Sequence, residues 1–278
     1  MRKTQRWLGI DFSGNYRQWS AGRTNSNVWV ATIENSDGLR LVDLRMVQKL
    51  EGNGSPFERL ICLLGKGDFR AAAIDAPFSI PSQFIQNGRH HQDLLDKIDR
   101  IPHLGRPFPN GRRFISEVTG QEPPLSPPKP LRLTERYWQT RGIPVRSTLW
   151  YTPRGGAPMT AACLKLLAQA HHPLWPWVEK EEGILIEAFP AAQLRVWNCP
   201  NNRYNGNTPG AEERRKEIYN TISERINASG FESLVFASAD ALDAVICAFA
   251  AIAATNGRVF SEPQWPEAST EGWIAVHS

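Results

Sequence analysis

The sequence predicts an α/β fold built on one mixed five-stranded sheet flanked by helices. Three short apolar strand patterns follow one another before residue 48, which predicts an antiparallel meander. A helix pattern then separates the third strand from a fourth, so the fourth can lie parallel to the first and beside it. A fifth strand, GILIEAFP, follows a long irregular segment. We expect a single domain over 1–278.

The first strand is RWLGIDF, and the meander continues with VWVATIE at 28–34 and LRLVDLRMV at 39–47. The next pattern, SPFERLICLLGK, carries the signals of a helix start. Ser55 is placed as the N-cap, Pro56 at the first helical position and Glu58 three residues after the cap. The fourth strand, FRAAAIDAPFSIP, is a continuous apolar run, as expected of a buried parallel strand.

Residues 78–183, between the fourth and fifth strands, are predicted to be an insertion that contacts the substrate. Eleven of the 21 prolines fall within 101–158, which predicts mostly extended loop. Residues 100–158 hold ten Lys or Arg and three Glu, a charge of +7, which leaves −3 for the rest of the chain. A basic insertion on an acidic body predicts an anionic partner, here nucleic acid. A solvated surface loop without a partner is the alternative.

Basic and aromatic residues are interleaved within this insertion, a combination that suits single-stranded or distorted nucleic acid. Arginines neutralise phosphates, and aromatic rings stack on bases. The predicted substrate-binding residues are Arg112, Arg113, Arg132 and Arg136, and the aromatic residues are Phe108, Phe114, Tyr137, Trp138, Trp150 and Tyr151. The alternative is that these rings anchor a long loop to the body of the protein.

Acidic residues stand at the ends of three predicted strands and at the start of one helix. Asp11 ends the first strand and Asp75 the fourth, and these strands are expected to be neighbours. Glu187 lies near the end of the fifth strand. In the helix SADALDAVICAFAAIAATNG, Asp240 and Asp243 share one face. After Asp243 this helix is apolar almost all round, so a carboxylate there faces packed protein, where an unpaired charge is unfavourable.

An oxygen-rich set without His or Cys at matching positions selects Mg²⁺ or Mn²⁺ over zinc. Such ions activate water and stabilise the leaving oxygen of a phosphodiester. The predicted metal ligands are Asp11, Asp75, Glu187 and Asp243, and Asp240 joins them in the predicted catalytic set. Structural alternatives remain open: turn formation for the strand-end aspartates, the helix dipole for Asp240, and an ion pair with Arg195 for Glu187.

The motifs GIDFSG, AIDAPFSIP, IEAFPAAQLR, DALDAVICAFAA and EGWIAVHS resemble, in this order, a bacterial and archaeal family of predicted nucleases, domain of unknown function four-two-nine. The strand order and the aspartates are also similar to the RNase H-like superfamily, including resolvases of the RuvC type. The resemblance implies an RNase H-like fold, metal-dependent hydrolysis of nucleic acid and a homodimer. A conventional RNase H has a Glu on the first helix; here Glu58 is better placed as a cap, and Glu187 takes the catalytic position.

Two other functions compete with a nuclease. The unit β-β-β-α-β also begins actin-like and sugar-kinase-like phosphotransferases and nucleotide-binding proteins, and GIDFSGN would serve as their phosphate loop. Those folds usually repeat the unit, and the sequence contains no second copy. A catalytically inactive nucleic-acid-binding protein on the same fold is the other alternative.

The sequence predicts a cytoplasmic protein without a membrane partner. No apolar run approaches the roughly 20 residues of a membrane span. The basic N-terminus has too few apolar residues for a secretory signal. The four cysteines lie far apart, without the spacing of a zinc site or redox motif, so we expect reduced thiols.

Overall fold

A mixed five-stranded sheet forms the centre of the computed structural model, which describes residues 4–85, 91–126, 128–152, 155–178, 182–206 and 208–278. The strands are β1 Gln5–Asp11, β2 Trp29–Asn35, β3 Leu39–Met46, β4 Ala71–Ile74 and β5 Ile184–Glu187. Their order across the sheet is β3-β2-β1-β4-β5. The first three strands are antiparallel, and β4 is parallel to both β1 and β5. The predicted fold class and the predicted pairing of the first and fourth strands are confirmed.

Helices cover both faces of this sheet. They are α1 Pro56–Gly65, α2 His91–Arg100, α3 Gly111–Thr119, α4 Leu133–Gln139, α5 Ala157–Ala170, α6 Pro190–Val196, α7 Ala211–Ser223, α8 Glu232–Ala237, α9 Ala239–Asn256 and α10 Ala268–Glu271. The predicted capping box of α1 is confirmed: the Glu58 N–H donates to Ser55 Oγ at 3.3 Å, and the Ser55 N–H donates to Glu58 Oε2 at 2.7 Å. Glu58 is therefore a capping residue.

Alternate side chains along the strands belong to two separate cores, because successive residues of a strand point to opposite faces. One face packs against α1, α2, α3 and α5 and is called the α5 face; its strand residues are Leu8, Ile10, Ala72, Ile74 and Leu185. The other packs against α7 and α9 and is called the α9 face; its strand residues are Trp7, Ala71, Ala73, Ile184 and Ile186. This alternation decides which acidic residues meet.

Helix α9 lies in direct backbone contact with β1 at Gly9. A Cβ atom at Gly9 would lie 2.1 Å from the Ala244 carbonyl oxygen and 2.3 Å from the Ala248 nitrogen, so no other residue fits without displacing the helix. By length and composition alone, α9 could cross a membrane, but 72% of it is buried within the structure. It is the core helix of an α/β fold of the soluble type, and its N-terminal turns lie over the end of β1.

The described part of the segment between β4 and β5 contains four α-helices and supplies much of the core on the α5 face. Phe108, Phe114 and Trp138 are buried. The prediction that they stack on nucleic-acid bases is wrong for these three rings, which instead anchor the segment, the alternative drawn from the sequence. Tyr151 is 37% exposed, and the rings of Tyr137 and Trp150 are half-buried.

Candidate active site at the carboxyl edge of the sheet

Asp11 and Asp75 lie side by side where two parallel strands end. The last register pair between β1 and β4 is Ile10 with Ile74, so the two aspartates occupy the next matched positions. The Asp75 N–H donates to the Ile10 carbonyl at 2.9 Å, which continues the pairing to this point. Asp11 lies an even number of residues after Trp7, and Asp75 lies two residues after Ala73, so both carboxylates are on the α9 face. In open α/β sheets this edge is where ligands bind.

The N-terminal turns of α9 bring two further aspartates to the same place. Ser238 caps the helix by accepting a hydrogen bond from the Ala241 N–H at 3.1 Å. Asp243 immediately precedes Ala244, the residue that contacts Gly9, so it lies over the end of β1. Asp243 is 8% exposed, and its Oδ1 accepts a hydrogen bond from the Tyr204 hydroxyl at 2.9 Å.

Asp11, Asp75, Asp240 and Asp243, called here the acid cluster, all have raised pKa values. Burial, followed by the charges of Asp243, Asp75 and Asp240, raises the pKa of Asp11 well above its ordinary value. Burial and the Asp75 charge do the same to the pKa of Asp243. Burial and Glu187 raise the pKa of Asp75 to about 7, and burial raises that of Asp240 to about 6. None of the four forms a salt bridge within the described part of the chain.

Glu187 belongs to the opposite face. It pairs in register with Ile74 and follows the alternation of Leu185, so its side chain lies on the α5 face. There Arg132 donates hydrogen bonds to both carboxylate oxygens of Glu187, from Nη1 to Oε2 at 2.7 Å and from Nη2 to Oε1 at 2.5 Å. The Phe78 N–H donates to Oε2 at 3.0 Å. Its carboxylate is thus already paired with a cation, which is a reason against the predicted metal ligation by Glu187.

Arg132 is buried at 1% exposure, and its remaining donors are also engaged. Nε donates to Glu135 Oε1 at 3.1 Å, and Nη1 donates to the Glu271 carbonyl at 3.2 Å. Burial raises the pKa of Glu135 to about 7 although Arg132 opposes this shift. These contacts and this burial are a reason against the predicted contact of Arg132 with substrate phosphates. Arg132, Glu135 and Glu187 form a buried ion network, called here the Arg132 network.

The comparison with protein families assigns the chain to one of them. The model of the family described as "Protein of unknown function (DUF429)" matches residues 9–268. The chain belongs to this family. The comparisons with curated proteins and with solved structures find no match. The DUF429 match includes all four residues of the acid cluster and confirms the family resemblance.

A cleft of about 430 Å³ opens beside the acid cluster of this DUF429 protein. It is lined by Asp75 and Asp243 from the cluster and by Glu187 and Arg132 from the network, so it spans the sheet edge between the two faces. Arg146 also lines it, close enough that its charge lowers the pKa of Asp75 against the larger effects of burial and Glu187.

The sequence did not single out Tyr204, Arg146 or Arg203, which all line this cleft. Arg146 belongs to the basic insertion, but nothing in its spacing separates it from nine other cations. Tyr204 and Arg203 lie in the loop between α6 and α7, where no periodicity indicates which side chains point inward. Neither arginine has a salt bridge or side-chain hydrogen bond in the described part of the chain.

The other predicted substrate-binding arginines lie on the surface and do not line the cleft. Arg112 pairs with Glu122 at 3.5 Å and Arg113 with Glu117 at 3.9 Å, both in exposed pairs. Arg136 is exposed on α4. Their contact with nucleic acid stays a prediction. Among the described residues, no group of three or more His, Cys, Asp or Glu side chains has the arrangement of a ready-made metal site.

Proposed function

We propose that this DUF429 protein is a divalent-metal-dependent nuclease that hydrolyses phosphodiester bonds in nucleic acid. The observation that supports it best is the acid cluster. Four aspartates meet at one edge of the sheet, three of them have strongly raised pKa values, and none of them forms a salt bridge within the described part of the chain. Burying like charges together is unfavourable unless a cation neutralises them. The RNase H-like resemblance, which implies aspartates at these strand ends, is a second support.

The donor chemistry of the cluster fits a hard cation. Asp11, Asp75 and Asp243 would hold Mg²⁺ or Mn²⁺, with the less buried Asp240 beside them. All donors are carboxylate oxygens, the ligands that these ions prefer. When bound, such an ion supplies an activated water and neutralises charge on the leaving oxygen. Without a cation, burial and, at Asp11 and Asp243, the charges of neighbouring aspartates favour the protonated carboxyl groups, which accords with their raised pKa values.

Other side chains of the site position the reacting groups. The Tyr204 hydroxyl fixes Oδ1 of Asp243 and thereby orients that carboxylate. Arg146, next to Asp75, would bind a phosphate oxygen of the substrate. The Arg132 network holds the segment that carries Arg146 against the end of β5, since Arg132 starts α4 and Glu187 ends β5. The surplus of ten cations over three acids in 100–158 would draw the nucleic acid toward this edge.

Two details of the proposal concern where and how the protein acts. We place it in the cytoplasm, because Cys62, Cys163, Cys199 and Cys247 are all free thiols. We propose a homodimer as the acting form, on the resemblance to RuvC-type resolvases. Actin-like folds usually contain a second copy of the β-β-β-α-β unit, and the described residues contain one five-stranded sheet only.

A cleavage assay on end-labelled single-stranded DNA and RNA with Mn²⁺ or Mg²⁺ tests the proposal. We expect cleavage by the wild-type protein, none in EDTA and none by Asp75→Asn, which should still bind the strand. Binding should weaken with salt, with a log–log slope of roughly 0.7 to 0.9 per phosphate neutralised. Replacing Arg146 and Arg203 together should flatten that slope.

The matched control is Asp68→Asn, an exposed aspartate outside the cleft, purified in the same way. It should cleave like the wild type. Equal cleavage by Asp75→Asn would overturn the proposal and indicate a contaminating nuclease. If the wild type and the variants bind the strands but none of them cleaves, the nuclease is excluded and the alternative of a catalytically inactive nucleic-acid-binding protein is supported.

A further inference from the structure

The cleft beside the acid cluster has room for one small ligand. Its volume of about 430 Å³ lies within the range of about 300–1,000 Å³ found for pockets that enclose a small molecule. The inserted segment supplies one part of its lining, from Pro144 to Arg146 and around Met159. The loop at 201–205 supplies another part. A double helix needs a broad open surface, with about 1,000–2,500 Å² of protein buried, and this cleft does not offer one.

The cleft lining combines an anion-binding group with an apolar surface. Arg146 lies next to Asp75 and has no ion-pair partner among the described residues. Phe189, two residues after Glu187, is half-buried: it packs against the small core that contains Ile274 and also lines the cleft. Pro144, Val145 and Ala191 extend this apolar surface. A partly exposed aromatic ring and an arginine are the groups that bind a base and a phosphate.

The loop that contributes to the cleft is held in a fixed and uncommon conformation. Arg203 has a φ of 57°, in the left-handed region that residues other than glycine rarely adopt. The buried Arg215 of α7 holds the loop immediately after this residue, with Nη1 donating to the Tyr204 carbonyl at 2.6 Å and to the Gly206 carbonyl at 3.2 Å. Backbone strain that the surroundings maintain in this way is concentrated at ligand sites.

We propose that this cleft is a subsite for a single nucleotide, which binds with its phosphate on Arg146 beside Asp75 and its base against Phe189. The inference rests on the proposed nuclease function and narrows its substrate to strands that can place one unstacked nucleotide in the cleft. The side-chain amides of Asn201 and Asn202 at the same cleft offer both donors and acceptors to a base edge.

Binding of adenosine 5′-monophosphate tests the subsite, because this ligand has no phosphodiester bond to hydrolyse. Calorimetric titration of the Mn²⁺-loaded wild-type protein compares it with ribose 5-phosphate, which lacks the base. We expect adenosine 5′-monophosphate to bind at least about tenfold more tightly, as stacking on an aromatic ring implies. Phe189→Ala and the more conservative Phe189→Leu should remove that difference and leave ribose 5-phosphate binding unchanged. Arg146→Ala should weaken both ligands.

The matched controls are Phe260→Ala, an exposed aromatic residue outside the cleft, and Arg6→Ala, an exposed arginine outside it. Both should bind as the wild type does. Equal affinity for the two ligands, or unchanged binding in both Phe189 variants, would overturn the subsite. Cleavage of strands that is unaffected by the Phe189 variants would overturn the subsite alone. Phe189-dependent nucleotide binding without any phosphodiesterase activity would support the subsite and overturn the nuclease.

Discussion

Two groups of buried carboxylates lie at the same edge of the sheet, and they differ in whether the chain itself provides a cation. On the α5 face, Glu187 and Glu135 are both bonded to the guanidinium of Arg132. On the α9 face, Asp11 and Asp243 are almost as deeply buried, and no salt bridge neutralises them in the part of the chain that is described. The two groups share a strand pair and a cleft, so burial alone does not distinguish them.

The difference separates a structural role from a functional one. A buried ion pair holds chain segments together, and removing its cation leaves uncompensated charge. A buried cluster of like charges without a cation lowers the stability of the free protein, and proteins retain such clusters where a ligand or reaction needs them. The Arg132 network thus connects α4 to β5, whereas the acid cluster is the part of the site that would gain most from a bound cation.

The largest effect on stability should follow from removing the cation of the Arg132 network. Arg132→Met leaves Glu187 and Glu135 buried without a cation, and we expect the free energy of unfolding to fall by about 3–5 kcal/mol. Urea denaturation monitored by circular dichroism measures this. Arg112→Met, which breaks an exposed pair with Glu122, should change it by about 1 kcal/mol at most. Similar small effects of both substitutions would show that the buried network does not support the fold.

A smaller effect should appear in the pH dependence of the metal-free protein. Folding raises the pKa of Asp75 from 3.8 to about 7 and that of Asp240 to about 6. The folded state therefore binds more protons than the unfolded state between about pH 4 and pH 7, so the free energy of unfolding should fall as pH rises through this range. Urea denaturation in EDTA at pH 5 and pH 8 measures the difference.

Asp75→Asn should flatten this pH dependence and make the metal-free protein more stable than the wild type at pH 8. A residual slope should remain, because the pKa of Glu135 is also raised by burial, to about 7. Asp68→Asn, at an exposed position, should leave the slope unchanged. Stability that rises from pH 5 to pH 8 would contradict the description of the acid cluster as uncompensated.

The smallest effect should come from removing one hydroxyl group at the cluster. Tyr204→Phe removes the hydrogen bond to Asp243, which otherwise lowers the pKa of that carboxyl against the effect of burial. We expect Mn²⁺ affinity to fall by about tenfold, as for other groups that orient metal ligands, with a loss of stability near 1 kcal/mol. Tyr219→Phe is the control, since its hydroxyl donates to the Ala228 carbonyl, outside the cleft. If Tyr204→Phe and Tyr219→Phe bind Mn²⁺ with equal affinity, the Tyr204 hydroxyl does not orient Asp243 for the metal, and the side chain contributes packing only.

The sequence was sufficient to predict the five-stranded sheet and the proximity of Asp11, Asp75 and Asp243. The helix pattern between the third and fourth strands allows β4 to lie parallel to β1 and beside it, and the observed register brings Asp75 next to Asp11. The apolar pattern of α9 indicated that Asp243 is buried, and Gly9 allows the contact that brings it to the strand end. Each of these conclusions depends on local periodicity or on a rule of chain connection.

The face to which Glu187 belongs could not be read from the sequence, for a physical reason. All four residues of β5 are buried, so the strand shows no alternation of polar and apolar residues that would assign Glu187 to one side. Its partner Arg132 lies 55 residues away in a segment rich in proline, and such a contact has no local signal. The same holds for Tyr204, which reaches Asp243 from an irregular loop.

Calorimetric titration of Mn²⁺ into the metal-free protein and three variants, each checked for folding by circular dichroism, tests the central claim most directly. If the acid cluster is the cation site and the Arg132 network is not, the wild type binds Mn²⁺ and Asp11→Asn and Asp243→Asn lose at least about tenfold in affinity. Glu187→Gln, which keeps hydrogen-bonding oxygen and nitrogen atoms beside Arg132, retains the wild-type affinity. Absence of Mn²⁺ binding by the wild type, or a loss in Glu187→Gln as large as that in Asp11→Asn, would contradict the assignment.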